Sequence, residues 1–128
     1  MKSVSKRNSI LLVDDEPDIT AAFKVTLEGA GYIVHAYNDP LIALSEFKPG
    51  YYDLIIVDII MPSMDGFTLY EELKKEDNRA KICFLTASEM YYKESRKVKH
   101  RSLDKDLFIR KPITTEELIE RITALISK

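Results

Sequence analysis

Short apolar runs rich in β-branched residues alternate along the chain with longer amphipathic stretches. The runs fall at Ile10–Val13, Tyr32–Tyr37, Leu54–Val57, Ile82–Leu85 and Leu107–Ile109. Each has the size of a buried strand. Between them, residues 17–29 place Ile19, Ala22, Phe23 and Leu27 at helical spacing, and residues 65–77 do the same with Phe67, Leu69, Tyr70 and Leu73. A helix over 39–48 opens on Asp39-Pro40, a capping residue followed by proline at the first helical position. A last helix over 114–127 carries Leu118, Ile122, Leu125 and Ile126. Its opening, Thr114-Thr115-Glu116-Glu117, has capping-box spacing. A further helix over 88–101 has the weakest pattern of the five.

Gly29 and Gly31 punctuate the end of the first helix, and Pro49-Gly50 the end of the second. Strand followed by helix, five times over, predicts an α/β fold with a parallel sheet covered on both faces. No repeat and no internal linker interrupts it. The expectation is a polar leader over 1–7 and one domain over 8–128, with room after Pro112 for a single helix.

Composition removes several classes. The chain has 128 residues, 45% apolar and 31% charged, which is ordinary globular usage for one domain. Its 19 Lys+Arg against 21 Asp+Glu leave a formal charge of −2, so bulk nucleic-acid binding is not expected. Cys83 is alone, which excludes a disulfide scaffold and fits a reducing, cytoplasmic compartment. No membrane span is expected, because no apolar run exceeds four residues. Lys2, Lys6 and Arg7 ahead of Ile10–Val13 imitate a secretory signal, but the apolar run stops at Asp14-Asp15-Glu16, too soon for one.

In an open parallel sheet all carboxyl ends lie on one edge, and ligands bind there. Asp14 and Asp15 follow the first run, Asp58 the third, Thr86 the fourth, and Arg110-Lys111-Pro112 the fifth. Asp58 is the hardest to explain structurally, since it interrupts the apolar stretch Leu54–Ile60. A buried carboxylate needs partners or it neutralises, and three carboxylates together repel. A hard divalent cation with oxygen ligands resolves the repulsion, and Mg²⁺ suits a site of few carboxylates completed by water and phosphate oxygens. Lys111 adds a point charge for a phosphoryl oxygen, and Thr86 a hydroxyl. These parts suit phosphoryl transfer to a carboxylate, in which Asp58 attacks phosphorus without a general base.

The segments Leu12-Val13-Asp14-Asp15-Glu16-Pro17, Val57-Asp58-Ile59-Ile60-Met61-Pro62-Ser63-Met64-Asp65-Gly66, Thr86-Ala87 and Lys111-Pro112 resemble a two-component response-regulator receiver domain, of the stand-alone, chemotaxis-regulator-like kind. The resemblance covers residues 8–127. It implies a flavodoxin-like, doubly wound sheet of five parallel strands in the order 2-1-3-4-5. It also implies that Asp58 is the phosphoacceptor, and that Asp14, Asp15, Asp58 and the main-chain carbonyl of Ile60 hold Mg²⁺. Thr86 and Lys111 would bind the phosphoryl group, Thr86 and Phe108 would switch, and Lys111-Pro112 would be a cis peptide. The donor would be a phosphohistidine on a sensor histidine kinase or phosphotransfer protein. Output would pass through the fourth helix, fifth strand and fifth helix to a downstream protein, with a phosphorylation-dependent dimer left open. Slow hydrolysis of the aspartyl phosphate would be the chain's own activity. Ile60 has no polar side-chain atom to orient a water, which implies a long-lived phosphoryl group.

The chain departs from the family pattern between Thr86 and Lys111, where Ser102-Leu103-Asp104-Lys105-Asp106 replaces an expected Gly-Ala pair. Phe108 also lacks a hydroxyl, so its switch would act by packing alone. The run Lys93-Glu94-Ser95-Arg96-Lys97-Val98-Lys99-His100-Arg101 carries a net +4, ordinarily a solvated helix face. Lys93, Arg96, Lys97, Lys99 and Arg101 are also candidates for a partner surface, with Tyr91 and Tyr92 alongside. Cys83 reads as an inert buried thiol. His35 and His100 lack metal-ligand spacing.

Three other readings compete. A nucleotide- or flavin-binding doubly wound domain would carry glycines or hydroxyls after the first strand, where this chain has Asp14-Asp15-Glu16. An aspartyl phosphatase would need a second acid at position 60, where this chain has Ile60. A receiver-like interaction module that signals without phosphorylation is the remaining alternative.

Overall fold

The computed structural model describes residues 8–87 and 107–127 of the chain. The elements in order are β1 (Ser9–Val13), α1 (Pro17–Gly29), β2 (Ile33–Tyr37), α2 (Pro40–Ser45), β3 (Leu54–Asp58), α3 (Gly66–Glu76), β4 (Ile82–Thr86), β5 (Phe108–Arg110) and a C-terminal helix (Thr115–Ser127). The expected leader over 1–7, the helix over 88–101, the basic run with Tyr91 and Tyr92, and the segment 102–106 lie outside the described residues.

The strands form one parallel sheet in the order β2-β1-β3-β4-β5, the doubly wound α/β arrangement that the sequence implied. Alternation along each strand builds two cores, because successive side chains point to opposite faces. Leu11, Val13, Ile55, Val57 and Phe84 face α2 and α3, meeting Ala43, Phe67, Leu69 and Leu73. Ile10, Leu12, Leu54, Ile56, Cys83 and Leu85 face α1 and the C-terminal helix, meeting Leu27, Leu118, Ile122 and Leu125. The central strands β1, β3 and β4 are buried throughout, as a sheet covered on both faces requires.

The caps read from sequence are present. Asp39 Oδ1 accepts from Leu41 N at 2.9 Å and starts α2. Thr114 and Glu117 form a reciprocal capping box, with Glu117 N donating to Thr114 Oγ1 at 3.1 Å and Thr114 N to Glu117 Oε1 at 3.4 Å. Asp65 caps α3 through Thr68 N at 2.8 Å.

Some boundaries shift. The second helix stops at Ser45 rather than running to 48, and Phe47 then turns into the core beside α3. The fifth strand is one residue later than expected, with Phe84 opposite Phe108 and Thr86 opposite Arg110. On α1, Ala22 is exposed and Val25 is 71% exposed, whereas Thr20 is buried. Thr20 is satisfied there by donating to Pro17 O at 3.1 Å and accepting from Asn38 Nδ2 at 2.9 Å. Among the described residues, no helix is long and apolar enough to cross a membrane.

Candidate functional site

Parallel strands bring Asp14, Asp58, Thr86 and Lys111 to the carboxyl edge, and all four are buried. The loop after β1 fixes Asp14 from every side. Its N–H donates to Tyr37 O at 3.1 Å, and its carbonyl accepts from Asn38 Nδ2 at 2.8 Å. Its carboxylate accepts from Glu16 N at 3.0 Å through Oδ1 and from Lys111 Nζ at 3.0 Å through Oδ2.

Asp58 is held far less completely. Its Oδ1 accepts a long hydrogen bond from Ile60 N at 3.3 Å, and its Oδ2 lies 3.8 Å from Lys111 Nζ, a pairing without a hydrogen bond. Burial and the nearby Asp14 charge push its carboxyl up to about 7, against the opposing pull of Lys111. Burial alone would lower the Lys111 ammonium. The hydrogen bond to Asp14 and the charges of Asp58 and Asp14 outweigh that, so it stays above the ordinary lysine value.

Gly66 shapes the turn after Asp58. Its N–H donates to Ile59 O at 2.7 Å. A Cβ there would lie 2.4 Å from the Asp58 carbonyl oxygen and 2.8 Å from Ile59 Cα, so only glycine fits without moving the backbone of the phosphoacceptor candidate.

Sequence reasoning missed Glu16 as a member of the site. Carboxylate oxygens of Asp14, Glu16 and Asp58 all lie within 4.8 Å of one another, and among the described residues this is the acidic group able to hold a metal. Glu16 is the N-cap residue of α1, with extended backbone, yet its side chain makes no cap hydrogen bond. It turns instead to Lys111, Oε1 to Nζ at 3.2 Å. The three consecutive acids after β1 were the available signal, but their order alone does not say which side chain turns inward. Asp15 lines the same cavity without joining the group of three. The cavity measures about 370 Å³ and is lined by Asp15, Glu16, Asp58, Ile60, Ala87 and Lys111.

Thr86 ends β4 next to Ala87 of the cavity lining, is fully buried, and its carbonyl accepts from Lys111 N at 2.9 Å. Phe108 is also buried, its ring stacked 5.1 Å from Phe84 and tilted 6.3 Å from Phe67. The aromatic expected to turn inward is therefore already inward here. The Lys111-Pro112 peptide is cis. Of the other groups weighed, Cys83 is fully buried and its thiol is pushed up to about 12 by burial, which makes it inert. His35 lies away from the edge, on β2, with Nδ1 2.8 Å from the Tyr52 hydroxyl. Lys93, Arg96, Lys97, Lys99 and Arg101 lie outside the described residues.

The chain is similar to known proteins over most of its length. It is 31% identical to the transcriptional regulatory protein RprY of Bacteroides fragilis, over all of this chain and 53% of that protein. It spans about half the length of the curated relatives it matches. Among solved structures, chemotaxis protein CheY4 of Vibrio cholerae superposes with a TM-score of 0.77 at 27% identity, covering 94% of this chain and 99% of that one. The response regulator TrrA of Thermotoga maritima, solved with Mg²⁺ and BeF, matches with a TM-score of 0.77 at 34% identity, over 92% and 98% of the two chains. The model of the response regulator receiver domain matches residues 10–123, and with the buried acid–lysine edge this makes the chain a member of the response regulator receiver domain family.

Proposed function

We propose that this domain accepts a phosphoryl group on Asp58 with the help of Mg²⁺ and signals through the resulting change of its surface. The observation that carries this reading is the contrast between two buried carboxylates. Each carboxylate oxygen of Asp14 accepts a hydrogen bond, whereas Asp58 has one long hydrogen bond and faces a cavity. A carboxylate with unused lone pairs, lining a cavity and beside an ammonium, is a nucleophile in position.

The donor set fits Mg²⁺, since hard oxygens from Asp14 and Asp58 crowd together with too little positive charge between them. The resemblance adds Asp15 and the Ile60 carbonyl, and Asp15 and Ile60 both line the cavity. When bound, the ion would neutralise charge on the phosphoryl oxygens and let Asp58 remain ionised. The chain's own residues do the rest. Asp58 Oδ attacks phosphorus in line with the leaving group, and Lys111 stabilises the equatorial oxygens. Thr86 turns its hydroxyl from the buried position toward the phosphoryl group. The space it leaves favours the inward state of Phe108 over an outward one, a shift between two existing arrangements.

The natural donor on this reading is a phosphohistidine of a sensor histidine kinase or phosphotransfer protein. Output goes to a downstream protein through the region of β5, the C-terminal helix and the basic run. Cytoplasmic location and a phosphorylation-dependent dimer belong to the same proposal. Incubation with Mg²⁺ and phosphoramidate should add one phosphate by intact mass, and Asp58→Asn should add none. Equal labelling of that variant would refute the assignment.

A further inference from the structure

Among the described residues, Lys111 is the buried cation of the site, and it is shared unequally. Lys111 Nζ sits 3.0 Å from Asp14 Oδ2, 3.2 Å from Glu16 Oε1 and 3.8 Å from Asp58 Oδ2. Two carboxylates from the loop after β1 thus hold the ammonium at hydrogen-bond distance, and the reacting carboxylate does not. Asp14 is fully buried and fixed by its backbone and side-chain partners, so it is a constant part of the frame. Glu16 is different. Its side chain is 60% exposed at the mouth of the cavity, and the Lys111 contact is its side chain's one described interaction.

We propose that Glu16 is a positioning residue that withholds Lys111 from Asp58 and so restrains phosphoryl acceptance. The inference rests on the phosphoacceptor reading of Asp58. Two of the three N–H donors of Lys111 are aimed at Asp14 and Glu16, so its ammonium turns toward a phosphoryl oxygen on Asp58 most readily when one of these two lets go. Glu16 is the one that can swing into solvent, because among the described residues its side chain is held by Lys111 alone. The exposed pair is worth little, which suits a restraint that must be released during the reaction.

The reaction that reads this out uses phosphoramidate. Asp58 Oδ attacks phosphorus as the P–N bond breaks, and the nitrogen, already protonated in the donor, leaves as ammonia with the bonding pair. Removing the restraint by Glu16→Gln should raise the initial rate about threefold to fivefold, the range of one exposed ion pair. Glu16→Asp keeps the negative charge at the mouth but is too short by one methylene to reach Lys111. It should accelerate nearly as much as Glu16→Gln. If it behaves like wild type, charge at the mouth is the cause and the restraint is refuted.

A second measurement is independent of turnover. In metal-free protein, the Lys111 ammonium should show a changed ¹⁵N shift and faster hydrogen exchange in both variants. An unchanged signal would overturn the proposal, as would a Glu16→Gln rate equal to or below wild type. Mg²⁺ affinity gives the last arm. Loss of one screened charge should weaken it by only a few fold, whereas a loss of about 30-fold or more would make Glu16 a metal ligand and refute the restraint. Failure of wild type itself to take phosphate on Asp58 would instead remove the phosphoacceptor reading, and the Lys111 signal would still report whether Glu16 holds it.

Discussion

At the amino edge of the sheet, Ser9 and Asp53 exchange two hydrogen bonds, Ser9 N to Asp53 Oδ2 and Asp53 N to Ser9 O, both at 2.8 Å. Beside them Lys81 Nζ donates to Leu125 O at 2.5 Å, and Lys74 Nζ to Ala80 O at 2.7 Å. These side chains close off strand starts and helix ends, and each finds a partner within the fold. At the carboxyl edge, three carboxylates share one ammonium, and Asp58 keeps most of its hydrogen-bonding capacity unused. Both edges belong to the same strands and the same two cores. What differs is charge balance, and imbalance is what a fold tolerates where a ligand completes the structure.

That contrast breaks first at Lys111. Lys111→Met keeps the volume and removes the cation, leaving buried Asp14 and Asp58 to repel each other. Stability in EDTA should fall by about 2–4 kcal/mol by urea unfolding. Mg²⁺ should restore much of it, which no amino-edge variant would show. Gly66 comes next. Gly66→Ala places a Cβ 2.4 Å from the Asp58 carbonyl oxygen, and should cost about 1–3 kcal/mol and weaken Mg²⁺ binding as well. Gly29→Ala is the matching control, since its Cβ meets nothing within 4 Å, and it should gain up to about 1 kcal/mol.

Asp58→Asn should do the opposite of a usual core substitution. Well below pH 3.8 the Asp58 carboxyl is protonated in folded and unfolded chains alike. Between the unfolded value of 3.8 and the folded value of about 7, the unfolded chain ionises and the folded one does not, so stability falls as pH rises through that window. Above it the loss is complete. In EDTA, Asp58→Asn should therefore be more stable than wild type by about 1–2 kcal/mol at pH 8, a figure discounted for solvent screening, with the difference vanishing as pH falls below the unfolded value of 3.8. Paired denaturation curves across that range check it. The smallest effect belongs to the amino edge, where Asp53→Ala loses the bond from Ser9 N. It should cost about 1 kcal/mol and leave Mg²⁺ binding unchanged.

The layout of the sheet was legible because every central strand is apolar on both faces and each helix has a capping residue or glycine at its ends. The carboxyl-edge cluster was legible for the same reason, since parallel topology converts strand-end residues into neighbours. Glu16 was not, because whether an acid caps a helix or turns to a lysine depends on backbone angles that the sequence does not display. Gly66 looked like a helix start, and its close approach to Asp58 appears only once β3 and α3 are packed. The one-residue displacement of β5 has a similar origin. Leu107, Phe108 and Ile109 are all apolar, so register was settled by pairing with β4. Thr20 is a polar residue that the apolar pattern does not place, buried because Pro17 and Asn38 satisfy its hydroxyl.

The central claim is that the carboxyl edge is an acidic site short of one cation, with Asp58 as its reacting member. Thermal unfolding followed through a Mg²⁺ titration tests it directly, since a ligand that binds only the folded chain stabilises it in proportion to RT ln(1 + [Mg²⁺]/Kd) and so raises Tm. Wild type should show a rise in Tm that grows with the logarithm of Mg²⁺ concentration above Kd, largely lost in Asp58→Asn and preserved in Asp53→Ala. A flat curve for wild type, or an equal rise in Asp58→Asn, would contradict it.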